Sequence, residues 1–76
     1  MPHVLIKMLP GRSDQLKAKL ADEITKAVTA TLKLGEESVS VGIEDVEQKD
    51  WTGHVYNPDI LRKPDTIYKK PGYKPF

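Results

Sequence analysis

Between residues 3 and 46 the hydrophobic period of the chain changes twice, and this order of periods restricts the fold more than any other feature. Residues 3–9 (HVLIKML) are apolar or β-branched at most positions and closed by Pro10-Gly11, which reads as a mostly buried strand ending in a turn. Ser13 is placed to cap a helix beginning near Asp14, whose charge suits the positive end of the helix dipole. Leu16, Leu20, Ile24, Ala27, Val28 and Thr31 then recur at spacings of three and four. Lys17, Lys19, Asp22, Glu23, Lys26 and Lys33 take the other face, and Gly35 offers a stop. Residues 38–46 (SVSVGIEDV) alternate, with Val39, Val41 and Ile43 on one side and Ser40, Gly42 and Glu44 on the other. A strand, a helix of about twenty residues and a second strand form a βαβ unit, whose crossover is right-handed and whose strands are parallel. The expected class is α+β with an α/β-like unit, in a single domain over residues 1–76.

Two parallel strands with a helix on one face leave the other face open, and a second copy of the chain is the natural cover. Size argues the same way, because a domain of 76 residues buries only roughly 60% of the surface its unfolded chain exposes. With no cysteine, neither a disulfide nor a thiolate metal site can staple it, so a homo-oligomer is expected. Twelve basic against eleven acidic side chains give a net charge of +1, which argues against a nucleic-acid partner. No stretch approaches the roughly 20 apolar residues needed to cross a bilayer, so no membrane partner is expected. Lys7 follows only a few apolar residues, unlike the core of a signal peptide, and a cytoplasmic location is the expectation.

From Glu47 onward the pattern weakens into an expected loop holding Trp51, Gly53 and His54. Asn57 reads as a helix cap and Pro58 as a first helical residue. Helical tendency continues through residues 59–70, where Pro64 must kink or divide the helix. Residues 70–76 (KPGYKPF) are turn-rich and expected to be loosely held unless their aromatics dock on a neighbour. There is no internal repeat.

The candidate chemistry lies at Pro2. The initiating methionine is usually removed when a small residue follows it, and its loss turns the Pro2 nitrogen from an amide into a secondary amine. A terminal α-amino group titrates at about 7.7–8.0 in short peptides, and lower where water is kept out, because burial disfavours the ammonium form. A base that ionises near the working pH is an effective mover of protons.

Three features in register support that reading: the initial Met-Pro, Gly11-Arg12-Ser13-Asp14-Gln15 at the strand-to-helix junction of a βαβ unit, and a bulky aromatic, Trp51, just beyond the second strand. Together they resemble the 4-oxalocrotonate tautomerase family, from Pro2 to about Trp51. Pro2-His3 and Lys69-Lys70-Pro71-Gly72-Tyr73 look more like the branch represented by the bacterial tautomerase PptA, which carries a longer carboxyl-terminal segment. The resemblance implies a tautomerase-type βαβ unit with a C-terminal helical extension, packed as an oligomer, a dimer ahead of a hexamer. It implies a cofactor-independent keto-enol tautomerase in which Pro2 moves a proton between oxygen and carbon of a small enol acid. Arg12 matches the arginine that binds a substrate carboxylate, a task suited to a planar, permanently charged fork. Trp51 fills the place of an aromatic wall that excludes water. His3, beside Pro2, is a further candidate for substrate binding. The family's second arginine, in the second strand, corresponds to Ser40. A substrate with one carboxylate and an apolar remainder, such as an aryl enolpyruvate, therefore fits better than a dicarboxylate.

Plainer readings stand beside these. Arg12 alone is a solvated turn residue, Trp51 a core or interface aromatic, and His3 a strand histidine with a satisfied hydrogen bond. His54 and Asp50 fall short of the ligand count of a metal site, and no metal is expected. Lys63, Lys69, Lys70 and Lys74 with Tyr68 and Tyr73 have the composition of a single-strand binding surface, but the near-neutral whole favours a solvated tail or an arm on the next subunit. Glu44, Asp45 and Glu47 read as the polar exit of a strand, any of which could assist proton transfer. The rival function is a non-catalytic oligomeric binding protein that keeps the scaffold and captures carboxylates at Arg12 or contacts nucleic acid through its lysine-rich tail.

Overall fold

The structure, a computed structural model that describes residues 1–74, pairs β1 (His3–Met8) with β2 (Ser40–Asp45) as parallel neighbours. The register sets His3 opposite Ser40, Leu5 opposite Gly42 and Lys7 opposite Glu44 on one face. Val4, Ile6 and Met8 face the same way as Val41, Ile43 and Asp45 on the other. Between the strands runs α1 (Asp14–Leu32), the crossover helix that parallel pairing requires. The chain divides into two compact units, Met1–Asp45, which contains this βαβ element, and Val46–Phe76.

α1 begins where the sequence predicts it. Ser13 adopts extended backbone and its side chain accepts a hydrogen bond from the Leu16 N–H at 3.2 Å. The helix covers the Val41 and Ile43 side of the sheet: Lys17 Nζ reaches Asp45 at 2.9 Å, and Met8 lines a groove with Leu16 and Leu20. The half-buried helix positions include Leu20, Ala21, Ile24, Thr25, Val28 and Thr29. The inward stripe is thus rotated from the expected one, since Ala27 and Thr31 are exposed and Leu16 is 52% exposed. Thr25 joins the inner face by donating its hydroxyl to the Ala21 carbonyl at 2.8 Å, which satisfies the polar group locally.

The helix also stops earlier than Gly35. Lys33 turns left-handed at φ 58° and ψ 51°, its N–H returning to the Thr29 carbonyl, and the Leu34 N–H shares that acceptor at 3.2 Å. Glu36–Ser38 form a single 3-10 turn, so β2 starts at Ser40 rather than residue 38.

In the second unit the largest departure from expectation is that the predicted loop is helical. α2 (Gln48–Trp51) runs directly into a π-helical segment, Thr52–Leu61. Asn57 and Pro58 lie inside that segment instead of starting a helix. The wider turn accommodates the Pro58 ring, which in an α-helix meets the carbonyl four residues back. Helical structure ends near Arg62, and Pro64–Thr66 form a 3-10 turn. Of the predicted tail, Pro75 and Phe76 lie outside the described residues.

Little of this is enclosed. Val55, 5% exposed, is the one fully buried hydrophobic side chain among the described residues, whereas Leu5, Leu32 and Leu61 are 47%, 56% and 62% exposed. Apolar surface left in water forgoes about 25 cal/mol per Å² of stabilisation that burial against another surface recovers.

The two ends of α1 yield predictions of opposite sign. Ser13→Ala removes the cap and should lower stability by about 1 kcal/mol. Lys33→Gly relieves the left-handed backbone and should raise it by up to about 1 kcal/mol, net of the added freedom of the unfolded chain. Urea titrations at one fixed protein concentration check both, since association contributes to the apparent stability.

Candidate active site

Parallel pairing carries Pro2 to one end of the sheet and Arg12 to the other. Pro2 immediately precedes β1, and its carbonyl accepts a hydrogen bond from the Ser40 N–H at 3.2 Å, which ties the head of the chain to the start of β2. Met1 beyond it is fully exposed. His3 is the first strand residue, and its Nδ1 lies 2.6 Å from Ser40 Oγ across the sheet. Pro2, His3 and Ser40 therefore form one cluster on the margin of the uncovered face.

Arg12 follows the turn that ends β1. Gly11 takes φ +122°, a backbone that side chains disfavour, and so brings the chain round onto Arg12 and the Ser13 cap. The guanidinium donates to the Leu9 carbonyl at 3.3 Å. It borders a cavity of about 340 Å³ whose lining includes Met8, Leu16, Leu20, Lys19 and Glu23. Lys17 also lines it but is engaged by Asp45. The six residues of β1 span roughly 20 Å at about 3.3 Å each, so the Arg12 of one chain stands far from that chain's own Pro2. This cavity is consequently a feature of the arginine end of the unit and not a chamber around Pro2.

Of the acidic candidates, Glu44 and Asp45 close β2 at the arginine end, paired in register with Lys7 and Met8. Asp45 is held by Lys17, which leaves neither beside Pro2. Glu47 precedes α2 in the second unit.

Trp51 ends α2, half-buried, and its indole N–H donates to the Tyr73 hydroxyl at 3.1 Å. The Tyr73 ring lies 5.9 Å from that of Tyr56, tilted by 59°. Tyr73 is thus docked on its own unit. Tyr68, by contrast, is fully exposed. Lys70 borders a second cavity of about 270 Å³ with Tyr56, Ile60, Leu61, Pro64, Ile67 and Pro71. His54 is exposed in the π-helical segment, and among the described residues no three His, Asp or Glu side chains converge as metal ligands would. No helix among them is long and apolar enough to cross a membrane.

Two contributors escape the sequence reading. Ser40 figures there as a polar strand position and one lacking the family's arginine, because the register that sets it against His3 is a pairing property with no local signature. Tyr73 and Tyr56 are separated along the chain, and only the path of the π-helical segment brings them together.

Comparison with known proteins decides the family. The profile described as tautomerase enzyme matches residues 2–55. The chain belongs to the tautomerase family. A probable tautomerase of Xylella fastidiosa is 42% identical over 73 residues, covering 96% of this chain and 89% of the relative. The tautomerase PptA of Cronobacter sakazakii is 37% identical over 75 residues, covering 97% and 99%. The crystal structure of YwhB, a homologue of 4-oxalocrotonate tautomerase, superposes with a TM-score of 0.60 at 40% identity, over 62% of this chain and 77% of that one. The matches to PptA proteins extend over the carboxyl-terminal segment as well, in keeping with the PptA-like branch. The chain is accordingly an isomerase of the tautomerase class, and the reading as a non-catalytic binding protein gives way to it.

The aromatic cluster of this tautomerase can be tested by fluorescence, because Trp51 is the sole tryptophan. Tyr73→Ala should move its emission to longer wavelength and lower its anisotropy as the indole loses partner and packing. Tyr73→Phe, which keeps the ring but not the hydroxyl, should change it less.

Proposed function

We propose that this tautomerase converts a 2-hydroxy-2-enoate or an aryl enolpyruvate to its keto isomer, without a cofactor, using the amine of Pro2 as base and acid. The observation that carries the reading is the head of β1, where Pro2 is tied to Ser40 through its carbonyl while Met1 makes no burial of its own. Removal of Met1 strips no packing from the fold and frees the one nitrogen able to act. The neutral amine takes the enol hydroxyl proton, the oxygen electrons form the carbonyl, and the carbon–carbon double bond takes a proton from the resulting prolinium at C3. The proton count closes and no electrons leave the substrate.

Arg12 is the proposed carboxylate ligand, and its positive charge offsets the negative charge that develops on the enolate. With Arg12 and Pro2 at opposite ends of β1, the arginine that serves a given proline comes from another copy of the chain. The open sheet face and the exposed Leu5 and Leu16 support such association, and the PptA-like carboxyl-terminal segment places a dimer ahead of a hexamer in this proposal. His3 is proposed as a second substrate contact and Trp51 as the wall against the apolar end of the substrate. Ser40 carries no charge, which favours a substrate with one carboxylate over two. The reading takes the enzyme as cytoplasmic, acting on a small organic acid and on neither nucleic acid nor membrane.

Ketonisation of phenylenolpyruvate, followed in the ultraviolet, tests this reading. Pro2→Ala should lower kcat by about 10²–10⁴, and protein that retains Met1, verified by intact mass, should be inactive. Undiminished turnover by the capped protein would remove Pro2 from the mechanism. Arg12→Ala should cost roughly 10- to 100-fold in kcat/KM, with only partial recovery in Arg12→Lys. Preference for 2-hydroxymuconate over phenylenolpyruvate would contradict the single-carboxylate assignment.

A further inference from the structure

We infer that Ser40 is a positioning residue of this enzyme, whose hydroxyl orients His3 so that the imidazole Nε2–H is presented to substrate oxygen beside Pro2. The inference rests on the proposed role of Pro2 and adds to it a residue that touches no substrate itself.

Ser40 meets both neighbours of the reacting nitrogen. Its backbone N–H holds the Pro2 carbonyl at 3.2 Å, which fixes the peptide leading from the proline into β1. Its Oγ lies 2.6 Å from His3 Nδ1, a short contact between residues that the strand register sets directly opposite. His3 is exposed, so packing does not set its ring orientation and this hydrogen bond does. A serine hydroxyl can donate or accept, and a neutral imidazole carries its proton on one nitrogen only. The guest is an acid whose carboxylate and developing enolate both accept hydrogen bonds. The tautomer that serves such a guest carries the proton on Nε2, and Ser40 Oγ–H then donates to Nδ1. Hydroxyl, imidazole and substrate oxygen form a directed chain of donors, with Ser40 as its fixed end.

Ser40→Ala isolates the hydroxyl, because the backbone N–H to Pro2 survives the substitution. Turnover of phenylenolpyruvate should fall about tenfold, the size of effect expected for one hydrogen bond that orients a reacting group. Ser40→Thr keeps the hydroxyl and should recover most of the rate. A double-mutant cycle supplies the readout that a merely structural serine would not move: Ser40→Ala in a His3→Ala background should cost nothing further. Full activity in Ser40→Ala, or losses that multiply in the double variant, would overturn the inference. Nitrogen-15 spectra of the two imidazoles give a readout independent of turnover, with His54 as internal reference. In Ser40→Ala the His3 nitrogens should shift toward a mixture of tautomers while His54 stays in place, and unchanged His3 resonances would overturn the assignment even in inactive protein. Retained activity in capped protein would instead strike at Pro2, which separates the two failures.

Discussion

The in-register parallel pairing of β1 and β2 is the constraint from which the rest follows. Parallel strands cannot be joined by a tight turn, so a crossover helix is obligatory, and α1 occupies one sheet face as a result. The same register sets the start of β1 against the start of β2, which brings Ser40 to Pro2 and His3. It also sends the two ends of β1 apart. A strand that begins with the candidate base and ends at the candidate carboxylate ligand cannot offer both to one small molecule. On the reading proposed for Pro2 and Arg12, the completeness of the site and the cover of the open sheet face are therefore one question.

Energetics lead to that point by a different route. On the outer face of α1, Lys26 meets Asp22 at 3.1 Å and Glu23 at 3.6 Å. Its ammonium is held above the usual lysine range, chiefly by the hydrogen bond to Asp22 and then by the charges of both carboxylates. These groups are in solvent, where such pairs add little to stability. Cohesion has to come from apolar surface, and among the described residues Val55 is the one hydrophobic side chain fully enclosed. A chain without disulfides whose leucines stand half in water has apolar surface that association with another copy would stabilise.

Much of the fold was legible because local signals agreed with one another. Ser13 and the helical stripe marked α1, the alternation of Val41 and Ile43 marked β2, and the initial Met-Pro with Arg12 after Gly11 marked the family. What was illegible depended on competition between signals or on contacts distant in sequence. Gly35 is the stronger stop by residue type, yet Lys33 turned left-handed first. Asn57-Pro58 carries a start signal that the continuous helix from Gln48 overrode by widening into π geometry around the proline. The inner stripe of α1 takes in Thr25, which looks polar in sequence but donates its hydroxyl to the Ala21 carbonyl of its own helix. The Ser40–His3 contact follows from register alone, and a one-residue slip in pairing would send Ser40 to the helix side of the sheet.

On the reading proposed for Pro2, chemistry and fold are separable in an unusual degree. Met1 contributes no enclosed surface, so none of the packing behind the strands, register and Ser40 contacts depends on it. The chemical difference that its removal makes lies at one nitrogen, whose lone pair is delocalised into the amide while Met1 is attached and localised once it leaves. His3 does not substitute for it, since the nitrogen facing β2 is already committed to Ser40 and the remaining one has the better use as a donor to the acidic guest. Within one chain Glu44 and Asp45 are carried to the opposite end of β2 from Pro2. On that reading the proline nitrogen is the base, and the sheet sets it beside the imidazole of His3.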